Sequence, residues 1–297
     1  CVAPDLRGFG ETEAKPIDAT RGLRDLADDL CELLDTLGIE SAHLLGWSAG
    51  AGVIMQFAID QPERVRSLSL VAPVSPYGFG CTSDIHGSLT AEDFSGSGGG
   101  TVNAEAVEQL RQADKDSASM FAARQLLSNF YVKPPFKLPR EDALVDAVYR
   151  TRLGEQHYPG DFVSTETWPF VAPGHYGLLN AISPKYFNTS SIIDLAHKPP
   201  VLWVHGDADV IVSDHSLFDL ATHYNEQSET PSGGLPPQAQ PMLAQTREVL
   251  RQYVENGGTA EEITMSGVGH SPFLEKSSEF VASLTHFLSI SDGAPAA

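Results

Sequence analysis

His43-Leu44-Leu45-Gly46-Trp47-Ser48-Ala49-Gly50 is the stretch from which the fold is read. Its first residues are apolar and read as a short buried strand that Gly46 ends. From Ser48 to about Asp60 the pattern is helical, and Gln61-Pro62 closes it. Ser48 is left on the turn between strand and helix. Such a turn is sharp enough to bring backbone segments within the reach of a Cβ, and glycines at 46 and 50 meet that demand. The side chain of Ser48 would then stand at a sheet rim, beside a helix N-terminus.

Upstream, Cys1-Val2-Ala3-Pro4 reads as the tail of an apolar strand, and Asp5-Leu6-Arg7-Gly8-Phe9-Gly10 as a turn after it. From about Thr20, Leu23, Leu26, Leu30, Leu33, Leu34 and Leu37 recur at helical spacing until Gly38, with Asp25, Asp28, Asp29, Glu32 and Asp35 opposite. Downstream, Val65 to Val71 is a second buried strand. Pro200 to His205 and Glu262 to Ser266 are two more, with helices near Ala244 to Asn256 and Ser277 to Leu288. Strands apolar throughout that alternate with helices predict a doubly wound, mostly parallel sheet covered on both faces. Residues 1–74 and 199–290 would form this core. Residues 75–198, where the alternation breaks into Gly- and Pro-rich stretches and helices such as Ala104 to Arg111, would form a helical cap. A Pro/Gly/Gln-rich loop is expected around Pro231 to Pro241, and a disordered tail over 291–297.

A serine hydroxyl needs a base to take its proton, and the base needs an acid to orient it. Past the strand ending at His205 comes Gly206-Asp207-Ala208-Asp209-Val210, which offers two carboxylates. Past the last strand comes Gly267-Val268-Gly269-His270-Ser271, a histidine on a glycine-flanked loop. Serine, acid and histidine each lie just beyond a strand. In a parallel sheet those ends share one rim.

Composition bounds the alternatives. The net charge of −20 over 297 residues opposes nucleic acid and anionic membrane as partners. No run approaches the length of a membrane-spanning helix. Three cysteines, Cys1, Cys31 and Cys81, form neither a disulfide framework nor a zinc-ligand spacing, so no metal is expected and a reducing cytoplasm is the expected location. Cys1 is expected as a buried apolar thiol.

Taken together, these motifs resemble the α/β-hydrolase superfamily, in its capped esterase, haloperoxidase-like and C–C-hydrolase-like branch. Asp5 to Gly10 is similar to the family's turn after its fourth strand, Gly46 to Gly50 to its nucleophile elbow, Gly206-x-x-Asp209 to its acid loop and Gly269-His270 to its histidine loop. The resemblance selects Asp209 over Asp207 and implies a triad of Ser48, Asp209 and His270. It also implies an oxyanion donor at the N–H of Ala49 and no cofactor. Serine at the elbow, where haloalkane dehalogenases and epoxide hydrolases carry aspartate, disfavours those branches. Trp47 departs from the elbow of prolyl aminopeptidases.

The resemblance also predicts a lack. The second oxyanion donor normally follows the family's third strand, and nothing here matches its strands 1–3. A separate N-terminal polypeptide completing the sheet is one expectation, and an incomplete chain is the other. For substrate, Trp47, Trp168 and Val210 are candidate contacts, with Phe170 and Tyr176 alongside Trp168 in the cap. A small ester is the first expectation, and a C–C bond or an amide the second. A non-catalytic ligand-binding protein on the same fold is the alternative of another class.

Overall fold

The computed structural model describes residues 1–224 and 238–293. Along the chain, α1 (Arg24–Thr36) leads to β1 (Ala42–Trp47), α2 (Ala49–Asp60) and β2 (Val65–Val71). An intervening segment follows, with α3 (Ala104–Gln112), α4 (Ala123–Leu126), α5 (Glu141–Tyr149), the short pair β3 (Leu153–Gly154) and β4 (Tyr158–Pro159), the hairpin β5 (Phe162–Ser164) and β6 (Val171–Pro173), and α6 (Leu178–Ala181). The chain then returns through β7 (Val201–Gly206), α7 (Met242–Glu255), β8 (Ala260–Met265), α8 (Pro272–Glu275) and α9 (Ser277–Gly293).

Four strands form one parallel sheet in the order β1-β2-β7-β8. Trp47 pairs with Val71, Val71 with Val204 and Gly206 with Met265, so the carboxyl ends of all four finish level at one rim. The two central strands are buried because their runs are apolar on both faces: Leu68, Leu70, Val71, Leu202, Trp203 and Val204 are all at most 1% exposed. Burying each such side chain contributes about 1.5–3 kcal/mol. This is the parallel sheet between helices that the sequence predicts. Besides helices, the intervening segment holds the two small sheets of β3–β6, which the expectation of a helical cap did not include.

Local expectations are corrected at four places. Cys1–Pro4 carries no strand and is exposed, since an extended segment without a neighbour gains no ladder hydrogen bonds. Cys1 is accordingly an exposed thiol. Asp25 lies within the packed side of α1, where it accepts from the N–H of Asp18 at 2.8 Å and pairs with Arg7 and Arg21 at 3.5 and 3.2 Å. A buried carboxylate survives there because these groups satisfy it. Finally, α9 runs to Gly293, so residues 291–293 of the expected tail are helical; residues 294–297 lie outside the described residues.

Of the expected loop around Pro231 to Pro241, residues 231–237 also lie outside the described residues. Its end is well anchored. Gln240 Oε1 accepts from Gly80 N–H at 2.6 Å, and Gln245 on α7 accepts from Ser75 Oγ at 2.6 Å while donating to Thr82 Oγ1 at 3.0 Å. This buried amide network fastens the start of the intervening segment to the core. Among the described residues, no helix is long and apolar enough to cross a membrane.

Candidate active site

Ser48 sits between β1 and α2 with φ 55° and ψ −122°, a backbone region that side-chain-bearing residues rarely adopt. The turn is held by Ser48 N–H donating to Val71 O at 2.9 Å and by Val74 N–H donating to Ser48 O at 3.2 Å. Gly46 is required for closure: a Cβ there would lie 2.4 Å from Gly50 O. Gly50 is not required in the same way, since a Cβ on it would meet nothing within 4 Å. That corrects the expectation that both glycines relieve crowding. Ala49 opens α2, so its N–H is one of the first-turn amides that have no partner within the helix.

Strain of this kind costs on the order of 1–3 kcal/mol and persists where function needs it. Ser48→Gly is therefore expected to raise stability by about 1 kcal/mol, because glycine reaches this conformation freely, whereas Ser48→Ala is expected to be neutral. Thermal melting of the three proteins checks this.

Across the rim, His270 Nδ1 is 2.7 Å from Asp209 Oδ2, with both side chains 1% exposed. The other carboxylate oxygen of Asp209 accepts from the N–H groups of Ile211 and Val212 at 2.7 and 3.0 Å, which fixes its orientation. Asp207, two residues away, is spent elsewhere: Gly267 N–H and Ser266 Oγ donate to it at 2.6 and 2.9 Å. Those bonds, the first above all, hold its carboxyl below the usual range. Only Asp209 faces the imidazole. The acid and histidine loops touch at Gly206, where a Cβ would lie 2.0 Å from Val268 O.

The serine turn meets the histidine loop through Trp47. Its indole N–H donates to His270 O at 2.8 Å, and the two rings lie 5.3 Å apart. Among the described residues, no hydrogen bond joins Ser48 Oγ to the imidazole.

Sequence reasoning missed the aromatic wall over the imidazole. A wide, π-type turn at Leu127–Tyr131 delivers Tyr131 edge-on to His270 at 5.7 Å and to Trp47 at 5.8 Å. Phe273 meets Trp47 at 5.2 Å from the other side. Burial, with the charge of Asp209, pushes the Tyr131 phenol up. The Phe130-Tyr131 dyad is visible in the sequence, but no local pattern links it to a histidine far downstream. Of the expected substrate contacts, Trp47 adjoins the site. Trp168 instead packs on Tyr224 at 5.2 Å. Val210 accepts from Leu217 N–H, while its neighbours Ile211 and Val212 pack near Phe130 and Tyr131. No group of three or more His, Cys, Asp or Glu among the described residues is arranged to hold a metal ion.

Comparison with known proteins adds three findings. The family model described as "alpha/beta hydrolase fold" matches residues 1–230. Among curated proteins, the chain is 33% identical over 159 residues to the dihydrolipoyllysine-residue acetyltransferase component of the acetoin cleaving system of Cupriavidus necator, covering 54% of this chain and 37% of that one. It is 44% identical over 70 residues to the 2-hydroxymuconate semialdehyde hydrolase of Pseudomonas sp. strain CF600, 24% of each chain. The chain thus matches well under half the length of these relatives. Among solved structures, an esterase from Exiguobacterium antarcticum aligns with a TM-score of 0.53 at 15% identity, over 96% of this chain and 80% of that one.

Proposed function

Because the chain belongs to the α/β-hydrolase fold family, we propose that it is a serine hydrolase that cleaves a small, apolar carboxylic ester through an acyl-enzyme. The observation that carries this reading is the buried 2.7 Å pair of His270 and Asp209, fastened to the serine turn by Trp47. In the proposed reaction, Ser48 Oγ attacks the ester carbonyl as His270 Nε2 takes its proton. Asp209 holds the Nδ1 proton in place and stabilises the imidazolium. The Ala49 N–H donates to the oxyanion, a contribution of about 3 kcal/mol. His270 then protonates the leaving alcohol, and water, activated by the same imidazole, releases the acid. The segment between β2 and β7 acts as a cap, and its Tyr131 gives the site an apolar wall.

A fluorophosphonate probe tests the reading directly, since it esterifies only an activated serine. Ser48 is expected to be labelled in the native protein, and labelling is expected to vanish in His270→Ala. A native protein that stays unlabelled while hydrolysing nothing would point to a ligand-binding role on this fold. A second reaction, cleavage of a C–C bond next to a carbonyl by the same three residues, is favoured by the likeness to the 2-hydroxymuconate semialdehyde hydrolase. Parallel assays with an ester and a vinylogous diketone separate the two.

A further inference from the structure

Glu275 stands outside the three residues above, and both of its carboxylate oxygens are engaged. One accepts from Gly269 N–H at 2.7 Å, next to His270. The other accepts from Lys133 N–H at 2.8 Å, two residues beyond Tyr131. Glu275 reaches both because α8 starts just past the histidine and ends on this residue, its own N–H donating to Ser271 O at 3.1 Å. The two backbone segments approach closely enough that a Cβ on Gly269 would lie 2.8 Å from Lys133 N and 2.9 Å from Val132 C. Two N–H donors facing one side chain call for a group that only accepts, which an ionised carboxylate is and an amide is not.

The geometry points to Glu275 as a positioning residue that latches the histidine loop to the segment carrying Tyr131, so that base alignment and the aromatic wall are set by one side chain. The inference rests on the serine-hydrolase reading above. Its logic is mechanical. Gly269 adjoins the base, so the first bond governs where the imidazole points. Lys133 follows the π-type turn, so the second governs how Tyr131 lies over the imidazole and Trp47. Burial pushes the Glu275 carboxyl up, the N–H groups of Lys133 and Gly269 draw it back down, and the charge of Asp209 raises it again. The latch therefore shares the electrostatic surroundings of the acid–base pair.

Two variants separate the halves of the latch. Glu275→Gln places an amide N–H against one of the two donors and compromises both contacts. Lys133→Pro deletes the cap-side donor and leaves the bond to Gly269 in place. Val132 already has the extended φ −130° and ψ 157° that a following proline requires, and Lys133 is exposed. With a p-nitrophenyl ester, Glu275→Gln is expected to lower kcat about tenfold and to raise KM, as loss of one charge-assisted bond at the base implies. Lys133→Pro is expected to raise KM about fivefold with kcat within twofold of wild type, the signature of lost binding without lost chemistry. Kinetics unchanged in both variants, or a fall in kcat alone for Lys133→Pro, would overturn the latch. If Glu275→Gln fails to fold, Lys133→Pro decides by itself, and an unchanged KM sinks the proposal. Failure of the underlying reading is separate and visible: turnover would survive in Ser48→Ala, and this inference would fall with it.

Discussion

Ser48→Ala is expected to lower turnover of a short-chain ester by about a million-fold, the loss seen when a nucleophile that acts as one unit with its base is removed. The substitution keeps the strained turn, because alanine has the same Cβ, and Ser48 makes no side-chain hydrogen bond that caps α2. Fold and stability should be intact, so the melting temperature serves as the internal control. What remains should be the smaller acceleration that binding and the oxyanion donor supply without the nucleophile. Single-turnover assays, in which acyl-enzyme accumulates only when Ser48 is present, give the cleanest reading. Full activity in the alanine variant would remove the acyl-enzyme mechanism.

The second large effect is expected at the acid. In Asp209→Asn, the carboxamide oxygen would keep accepting from the N–H groups of Ile211 and Val212, whose two bonds select it. The NH2 group is then left facing His270 Nδ1, where Asp209 Oδ2 sits at 2.7 Å. Nδ1 must become an acceptor, the ring proton moves to Nε2, and the imidazole can no longer take the serine proton. Turnover is expected to fall about 10⁴-fold with little change in KM. Asp207→Asn is the control. Its carboxylate serves Gly267 and Ser266, so the substitution is expected to cost stability and to leave kcat within a few-fold of wild type. Equal losses in the two variants would overturn the choice of acid.

The sheet was legible because strands buried on both faces have a local signature. The strand at Val201 opens on the continuous apolar run Val201 to Val204, and in Val65 to Val71 only the small Ser67 and Ser69 are buried among apolar residues, so both strands lie where the sequence predicts them. The last strand starts at Ala260, two residues before the predicted start, because its first half, with Glu261 and Glu262 exposed at a sheet edge, carries no apolar run. The triad candidates were legible because a parallel sheet levels its carboxyl ends, so three motifs far apart in sequence imply one place. The rest had no such rule. Glu275 and Tyr131 acquire meaning only through a contact between a turn of the intervening segment and a loop more than a hundred residues later. Periodicity and composition carry no trace of that. Asp25 was misplaced for the same reason, since its partner Arg7 lies on another element.

The glycine that ends β7 has a consequence for how the site can open. Because Gly206 lets the backbone of the histidine loop press directly against the end of β7, the turns that bear His270 and Asp209 stack with no side chain between them to yield. Neither can swing aside to admit a substrate without dragging the other. Ligands of different size bound at this rim are therefore expected to leave the spacing of the imidazole and its carboxylate constant.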